Sequence, residues 1–391
     1  MKINDALTTG NKTVRLVGFG DSITGVYYHT GGRRAWPEML GLALQRLCPQ
    51  ARIETINAGL SGGNTASGLA RMDQDVLAHR PDLVVVMFGM NDVVANAPEV
   101  YEGNLRTIVA KSRAAGAEVV LCTPNWVAPN NGSRDLTKLG AYAEIVRRVG
   151  ADLALPVADC FAVYEAVAML SEREFTLLMS DGIHPNMRGH KLFAEEIAET
   201  ITGRRASLAD VGPLLPGLPH VRRKLDAGQP LRLLAMPPCD TLIEPALQAL
   251  YPQAQMTVVR WEVAGQTVAQ IEQAAQAQGW MGLRDHPDRP KPDLAIIAVP
   301  ADAAAPDFDR FYRSYTWILN WSLSFGVSEW DAFAVTPSVA KPDLTDAERE
   351  AEAQALEVIT GQDLPYLTRL PGQTESVAAL LQGWLRQQLA K

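Results

Sequence analysis

Cysteine is scarce in this chain of 391 residues, which contains only four. They are scattered at Cys48, Cys122, Cys160 and Cys239, and no two of them form a Cys-x-x-Cys pair. Zinc sites and thioredoxin-like redox motifs are both built from such closely spaced residues. We therefore expect reduced thiols that hold neither a disulfide nor a metal.

Long apolar runs and an excess of basic residues are also missing. No stretch approaches the length of about 18 apolar residues that a membrane span requires, so we expect no membrane partner. The segment Met1–Asp5 lacks the apolar stretch of a secretory signal, which favours a cytoplasmic protein. The net charge of −8 argues against nucleic acid as a partner.

The first half of the chain alternates short apolar runs with amphipathic stretches. Continuous rather than alternating apolar runs are typical of strands that are covered on both faces, as in a parallel sheet. The predicted strands are 14–17, 52–56, 83–88 and 118–122, and the predicted helices are 36–47, 66–78 and 101–114. This rhythm predicts a three-layer, doubly wound α/β domain with its ligand site at the carboxyl ends of the strands.

The pattern breaks in the proline- and glycine-rich stretch before residue 230 and then restarts at Leu231. We therefore predict a first domain over 1–205, a linker over 206–229 and a second α/β domain over 230–391. Pro81-Asp82-Leu83 before one strand matches Pro292-Asp293-Leu294 before another, and Thr123-Pro124 matches Thr336-Pro337. Matches in the same order indicate an internal repeat.

Four short motifs carry the chemistry of the first half. They are Gly20-Asp21-Ser22-Ile23 after the first strand, Ser61-Gly62, Gly89-Met90-Asn91-Asp92 after the third strand, and Asp181-Gly182-Ile183-His184-Pro185. Alone, a serine after a strand is more often a turn or helix-cap residue. Together, the motifs supply a nucleophile, a base, a carboxylate to orient the base, and hydrogen-bond donors for an oxyanion.

These four blocks resemble those of the SGNH (GDSL-like) hydrolases, over roughly residues 12–205. The resemblance implies a metal-free serine esterase without a cofactor, in which Ser22 is the nucleophile, His184 the base and Asp181 its carboxylate partner. It also implies an oxyanion hole formed by the backbone N–H groups of Ser22 and Gly62 and the side-chain amide of Asn91. The register of the glycine stays open, because Gly59 and Gly63 are alternatives.

Aromatic and polar residues near the blocks are candidate substrate contacts. Tyr28, His29 and Trp36 follow the nucleophile, and Trp126 follows the fourth strand. Because aromatic faces beside polar groups suit a sugar ring, we expect a short-chain esterase acting on an O-acetylated carbohydrate. A lysophospholipase, thioesterase or arylesterase is the alternative within the family. A non-catalytic carbohydrate-binding protein is the alternative from another class.

The second half is predicted to be a degenerate copy without catalytic function. Aligned without gaps from Leu231, Cys239 takes the position of Ser22, and Ala301 is predicted to stand opposite Asn91. No Asp-x-x-His motif follows near the end of the chain. Such copies persist for packing or dimerisation, so a second copy of the chain is one expected partner. The other is the ester substrate, a small molecule or an oligosaccharide.

Overall fold

The computed structural model describes residues 3–326 and 329–390. The chain forms two compact units. The first comprises the residues up to 26 together with 34–211, and the second comprises 27–33 together with the residues from 212 onward. A seven-residue segment from the first part of the chain therefore belongs to the second unit. The predicted linker over 206–229 contains residues of both units and a helix, Pro219–Asp226.

The first unit is a parallel five-stranded sheet with the strand order β2-β1-β3-β4-β5. Its strands are β1 (Thr13–Gly20), β2 (Arg52–Gly59), β3 (Leu83–Met87), β4 (Glu118–Cys122) and β5 (Val157–Ala158). Its α-helices are α1 (Ile3–Thr9), α2 (Trp36–Leu47), α3 (Thr65–Asp75), α4 (Asp92–Ala95), α5 (Pro98–Ala114), α6 (Leu136–Asp152), α7 (Cys160–Leu170), α8 (Glu172–Thr176) and α9 (Met187–Thr202). Helices α2, α7 and α9 pack together, as do α3, α5 and α6.

The central strands are buried along their length because their apolar runs are covered on both faces. All five residues of β3 are buried, and β1 is buried from Leu16 to Gly20. Sequence periodicity predicted these strands correctly, and it placed helix α2 at its observed bounds. The doubly wound α/β fold predicted for this half is confirmed.

The second unit is a second parallel five-stranded sheet, with the order β10-β9-β8-β6-β7. Its strands are β6 (Leu231–Ala235), β7 (Met256–Arg260), β8 (Leu294–Ile297), β9 (Asp331–Val335) and β10 (Tyr366–Leu367). Its α-helices are α10 (Pro219–Asp226), α11 (Cys239–Gln248), α12 (Val268–Gln278), α13 (Trp280–Asp285), α14 (Phe308–Ser322), α15 (Pro337–Ala340), α16 (Asp346–Gly361) and α17 (Val377–Gln388). Within the described ranges, no helix combines the length and apolar character needed to cross a membrane.

The two sheets share one strand order and one hydrogen bond from a strand amide to an aspartate side chain. Read from β7 to β10, the second sheet repeats the strand order of the first. In the first unit, Asp82 Oδ2 accepts a hydrogen bond of 2.9 Å from the Arg15 amide. In the second, Asp293 Oδ2 accepts one of 2.8 Å from the Arg232 amide. The second domain is therefore an α/β domain of the same type as the first.

Strand register fixes which residues of the two units correspond. Leu16 of β1 pairs with Leu83, and Leu233 of β6 pairs with Leu294. Counting six residues on from Leu16 and Leu233 places Cys239 at the position of Ser22, as the sequence predicted. Cys239 is fully buried, and burial raises the pKa of its thiol to about 12, so the thiol is protonated at neutral pH.

The same register corrects the predicted counterpart of Asn91. Counting eight residues from Leu83 and from Leu294 places Asp302, and not Ala301, at that position. The motif match of Pro81-Asp82-Leu83 with Pro292-Asp293-Leu294 gives the same offset, so the assignment of Ala301 was one position too early. A carboxylate accepts hydrogen bonds but, when ionised, donates none. The second unit therefore lacks an amide donor at this position.

Candidate active site

Ser22 lies in the turn that follows β1, at the carboxyl edge of the first sheet. The turn is closed by the amides of Thr24 and Gly25, which donate to the Asp21 carbonyl at 3.1 and 3.0 Å. Gly20 is required before it, because a Cβ there would lie 2.1 Å from Thr24 Oγ1 and 2.3 Å from the Met87 carbonyl oxygen. The close packing of this turn holds the Ser22 side chain in place.

His184 lies between the hydroxyl of Ser22 and the carboxylate of Asp181. Its Nε2 is 2.9 Å from Ser22 Oγ, and its Nδ1 is 2.8 Å from Asp181 Oδ2. Because a carboxylate faces Nδ1, the favoured tautomer carries its proton there and leaves Nε2 as the acceptor for the serine proton. The structure thus brings together the three residues predicted from motifs that lie 162 and 3 positions apart.

The loop that carries Asp181 and His184 is fixed by its own hydrogen bonds. Asp181 Oδ1 accepts from the amides of Ile183 and His184 at 2.8 and 2.7 Å, so the two carboxylate oxygens have separate functions. Asn186, two residues after His184, caps helix α9, because its Oδ1 accepts from the Gly189 amide at 3.1 Å. The turn therefore enters a packed helix directly.

Two backbone amides at this edge of the sheet are free to bind an anion. The Gly59 amide donates to Asn57 Oδ1, and the Gly63 amide donates to the Leu60 carbonyl, both at 3.0 Å. Within residues 3–326 and 329–390, the amides of Ser22 and Gly62 have no acceptor. Gly62 has a φ of +73° and open space on its Cβ side. Of the three glycines that the sequence left open, Gly62 fits a donor best.

The side chain of Asn91 is held in one orientation by two partners. Its Nδ2 donates to the Gly63 carbonyl at 2.8 Å, and its Oδ1 accepts from Arg134 Nη2 at 3.0 Å. Arg134 also donates from Nε to the Met90 carbonyl at 2.6 Å. Because an arginine only donates and a carbonyl only accepts, these partners determine which end of the amide is nitrogen. The second N–H of Asn91 remains for a ligand.

Sequence reasoning missed Arg134, which lies in the loop between β4 and α6. Asn131 shapes that loop, accepting at Oδ1 from the amides of Ser133 and Arg134 at 2.9 and 2.7 Å. In the sequence, Arg134 stands three residues after Asn131, a residue type that favours an Asx turn, in a loop that follows a strand. That signal is common in loops and does not indicate a site without the structure.

Two buried groups near the site have strongly shifted pKa values. Burial raises the pKa of Asp21 to about 7, although the Ile23 amide and the charge of His184 oppose the shift. Burial lowers the pKa of His190 to about 3, with a smaller contribution from His184. His190 Nδ1 accepts from the Trp36 amide at 2.9 Å, which is consistent with a neutral ring. His190 is therefore a core residue of the first unit.

We expect Asp21→Asn to reduce the loss of stability at high pH. The folded pKa of about 7 lies above the ordinary value of 3.8, so folded Asp21 keeps a proton that the unfolded chain releases between these pH values. Stability therefore falls across that window, by on the order of 4 kcal/mol for this group. The melting temperature of Asp21→Asn should fall less than that of the wild type between pH 5 and pH 8.

Asp82→Asn is the matched control for that measurement. Burial raises the pKa of Asp82, but the ion pair with Lys12 and the bond from the Arg15 amide outweigh it, and the net shift is downward. The ionised form of Asp82 thus stabilises the fold above pH 4, and its loss should lower the melting temperature more at pH 8 than at low pH. Equal pH slopes in wild type and Asp21→Asn would contradict the expectation.

Two of the four predicted substrate contacts are buried in the first unit. Trp36 and Trp126 are core residues, with 0% and 4% of their surface exposed. Trp36 Nε1 donates to Thr24 Oγ1 at 3.3 Å, and Trp126 packs edge-on against Phe175 with ring centroids 4.9 Å apart. The prediction that these tryptophans touch substrate is corrected, because the apolar core holds them instead. Tyr28 and His29 belong to the second unit.

A histidine held between a hydroxyl and a carboxylate is the defining geometry of the serine hydrolases. The comparisons agree with this class. The model of the GDSL-like Lipase/Acylhydrolase family matches residues 19–192. The esterase TesA of Pseudomonas aeruginosa is 30% identical over 147 residues, which cover 37% of this chain and 68% of that protein. The chain belongs to the GDSL-like lipase/acylhydrolase family and is a carboxylic ester hydrolase.

Two further relatives differ in the activity that their names give. The acetylxylan esterase of Geobacillus stearothermophilus is 26% identical over 169 residues, covering 40% of this chain and 76% of that protein. The arylesterase of Vibrio mimicus is 29% identical over 188 residues, covering 48% of this chain and 88% of that protein. Similarity to both establishes an esterase of the SGNH type and leaves the substrate to be identified.

Proposed function

We propose that this enzyme hydrolyses short-chain esters, acetyl esters above all, and that its substrate is an O-acetylated carbohydrate. The observation that carries the reaction is the hydrogen-bonded series Ser22–His184–Asp181. The likeness to an acetylxylan esterase supports the substrate class. The polar surroundings of the serine, with Asn91 and Arg134 in the neighbouring loops, also suit a polar alcohol better than a lipid tail.

The proposed reaction passes through an acyl-enzyme. Ser22 Oγ attacks the ester carbonyl carbon while its proton moves to His184 Nε2, and Asp181 stabilises the imidazolium that forms. The negative oxygen of the tetrahedral intermediate is bound by the amides of Ser22 and Gly62 and by Asn91 Nδ2. As the C–O bond breaks, His184 returns the proton to the leaving alcohol. Water then attacks the acyl-enzyme in the same way and releases the acid.

A series of p-nitrophenyl esters and a panel of acetylated glycans test this proposal. We expect kcat/KM to be highest for acetate, lower for butyrate and poor for octanoate, and we expect acetate release from acetylated xylan. Values that rise with chain length would instead support the lysophospholipase or thioesterase alternative. Activity confined to aryl esters would support an arylesterase. Binding of glycans without turnover of any ester would support the non-catalytic alternative.

We expect Arg134→Leu to lower kcat on p-nitrophenyl acetate about 10-fold or more, with a smaller change in KM. Without the arginine, the Asn91 amide can rotate, and the oxyanion loses a donor held at the right place before reaction. Arg134→Lys should recover little, because one ammonium cannot reproduce the planar fork that reaches both Asn91 and Met90. Arg113→Leu is the control, since Arg113 is exposed and donates to Leu153 at 2.8 Å.

The reading of this experiment depends on the double variant. If Arg134 acts through Asn91, the combination of Arg134→Leu with Asn91→Ala should cost no more than Asn91→Ala alone. Additive losses would show that Arg134 contributes by another route. An unchanged kcat in Arg134→Leu would show that Arg134 has no part in catalysis.

We also propose that the domain over 230–391 does not catalyse ester hydrolysis. Burial keeps the Cys239 thiol protonated, since it raises the pKa of that thiol to about 12, and Asp302 replaces the amide donor. The role of this second unit must therefore differ from that of the first.

A further inference from the structure

The turn after β1 and the loop after β2 pack directly against each other at the carboxyl edge of the first sheet. Gly20 and Gly59 end these two strands as a paired couple. The Leu60 amide crosses between them and donates to the Gly20 carbonyl at 3.2 Å. A Cβ on Gly59 would lie 2.1 Å from the Gly25 amide nitrogen, so a larger residue would push the two segments apart.

Arg71 of helix α3 forms a bridge between the same two segments. Its Nη2 donates to the Gly20 carbonyl and its Nη1 to the Ala58 carbonyl, both at 2.8 Å. Gly20 lies two residues before Ser22 in the sequence. Ala58 lies four residues before Gly62. The arginine therefore joins the ends of the two strands that lead to the two proposed backbone donors of the oxyanion hole.

The guanidinium of Arg71 is itself held in one position. Its side chain is only 14% exposed, and its Nη1 also donates to Asp75 Oδ2 at 3.0 Å, one turn further along the helix. The group lies over the Phe19 ring, 4.9 Å from the centroid. A guanidinium carries its N–H groups in a rigid planar fork. With the fork fixed, the spacing between the two carbonyls that it binds is fixed as well.

The helix that carries Arg71 begins directly after the loop of Gly62. Asn64 caps α3, because its Oδ1 accepts from the Ser67 amide at 3.0 Å. Ser67 Oγ accepts in return from the Asn64 amide, also at 3.0 Å. This reciprocal arrangement fixes the first turn of the helix. Gly62 is thus two residues away from a fixed helix end, and the same helix reaches β1 through Arg71.

We propose that Arg71 is a positioning residue of the oxyanion hole, whose two carbonyl bonds fix the distance between the amides of Ser22 and Gly62. This inference rests on the proposed function, in which both amides bind the oxyanion. Such donors are effective because they are in place before the charge develops. A displacement of about 1 Å can cost about 100-fold in rate. Without the bridge, the tetrahedral intermediate is bound less tightly, while the ester itself is bound nearly as before.

Arg71→Met and Arg71→Lys in the full-length enzyme test the proposal. Methionine is unbranched like arginine but donates no hydrogen bond, whereas lysine keeps the charge without the fork. Arg147→Met is the matched control in the first unit. Arg147 also lies over a phenylalanine ring, with Phe161 at 5.9 Å, and it pairs with Asp159 at 2.8 Å. It differs from Arg71 in that the partners of its N–H groups are carboxylates.

The measured quantities are kcat/KM for p-nitrophenyl acetate and the inhibition constant of a small alkylboronic acid. Both refer to the concentration of active sites, titrated to completion with a fluorophosphonate. A boronate bonded to Ser22 is tetrahedral and places an oxygen where the oxyanion forms, so its affinity reports on the donors.

We expect Arg71→Met to lower kcat/KM about 10- to 100-fold and to raise the boronate inhibition constant by a similar factor. Arg71→Lys should lose nearly as much. Asp75→Asn removes the charged partner and keeps both carbonyl bonds, so it should stay within about 2-fold of the wild type. Arg147→Met should also keep the wild-type values of both quantities.

Three results would overturn the inference. A lower melting temperature with unchanged kcat/KM per active site would show that Arg71 only supports the fold. A fall in kcat/KM with an unchanged inhibition constant would show that Arg71 acts elsewhere than on the oxyanion donors. Wild-type values in Arg71→Lys would show that the positive charge, and not the bridge, is what matters. A wild-type enzyme that hydrolyses no ester would instead refute the proposed function, and the inference with it.

Discussion

Alanine in place of Ser22 is expected to lower kcat on p-nitrophenyl acetate by about 10⁴-fold or more. In the proposed reaction the Ser22 hydroxyl receives the acyl group, so the rate that remains without it would come from the oxyanion donors and from binding. The fold should be little affected, because the hydrogen-bond partner of Ser22 Oγ is the side chain of His184. We expect the melting temperature to shift by no more than a few degrees.

Ser171→Ala separates this effect from stability. Ser171 caps helix α8 by accepting from the Glu174 amide at 3.2 Å, so its loss should cost about 1 kcal/mol. Activity should nevertheless remain at the wild-type level. If the Ser22→Ala enzyme keeps more than a few per cent of the activity, Ser22 is not the nucleophile.

The second large effect is expected for Asp181→Asn, with a loss of about 10³–10⁴ in kcat. The carbonyl oxygen of the new asparagine would keep the bonds from the Ile183 and His184 amides, since those donors need an acceptor. Its NH₂ group would then face His184 Nδ1. The ring would have to carry its proton on Nε2, where it cannot accept one from Ser22.

Asp135→Asn is the control for this substitution. Asp135 caps α6 by accepting from the Lys138 amide at 2.9 Å, and asparagine caps a helix about equally well. Stability and activity should both be preserved. Near-normal kcat in Asp181→Asn would mean that the His184 tautomer does not depend on this carboxylate, and another group would have to orient the base.

The features that sequence patterns predicted are those that depend on residues close together in the chain. Continuous apolar runs identified the strands, and the Asp-x-x-His spacing identified a pair that needs only one turn to meet. The contact between Arg134 and Asn91 could not be predicted, because it joins side chains 43 positions apart through two loops. The docking of residues 27–33 could not be predicted either, since Tyr28 meets Trp280, which lies far along the chain in the second unit.

The aromatic predictions show where composition misleads. Trp36 and Trp126 were interpreted as substrate contacts because Trp36 follows the nucleophile in sequence and Trp126 follows the fourth strand. Both rings are buried in the structure, because removing a large apolar ring from water lowers the free energy of the folded state. The position of each tryptophan in the sequence suggested that it lies near the nucleophile. It did not indicate whether the side chain faces the core or the solvent.

Labelling with a small fluorophosphonate tests the central claim most directly. The reagent forms a stable phosphonyl ester with an activated serine, and intact-protein mass spectrometry followed by peptide mapping locates it. We predict one adduct per chain, on Ser22, formed at the rate at which activity is lost, and no adduct in Ser22→Ala. A stoichiometric adduct on any other residue, or full loss of activity without modification of Ser22, would contradict the account.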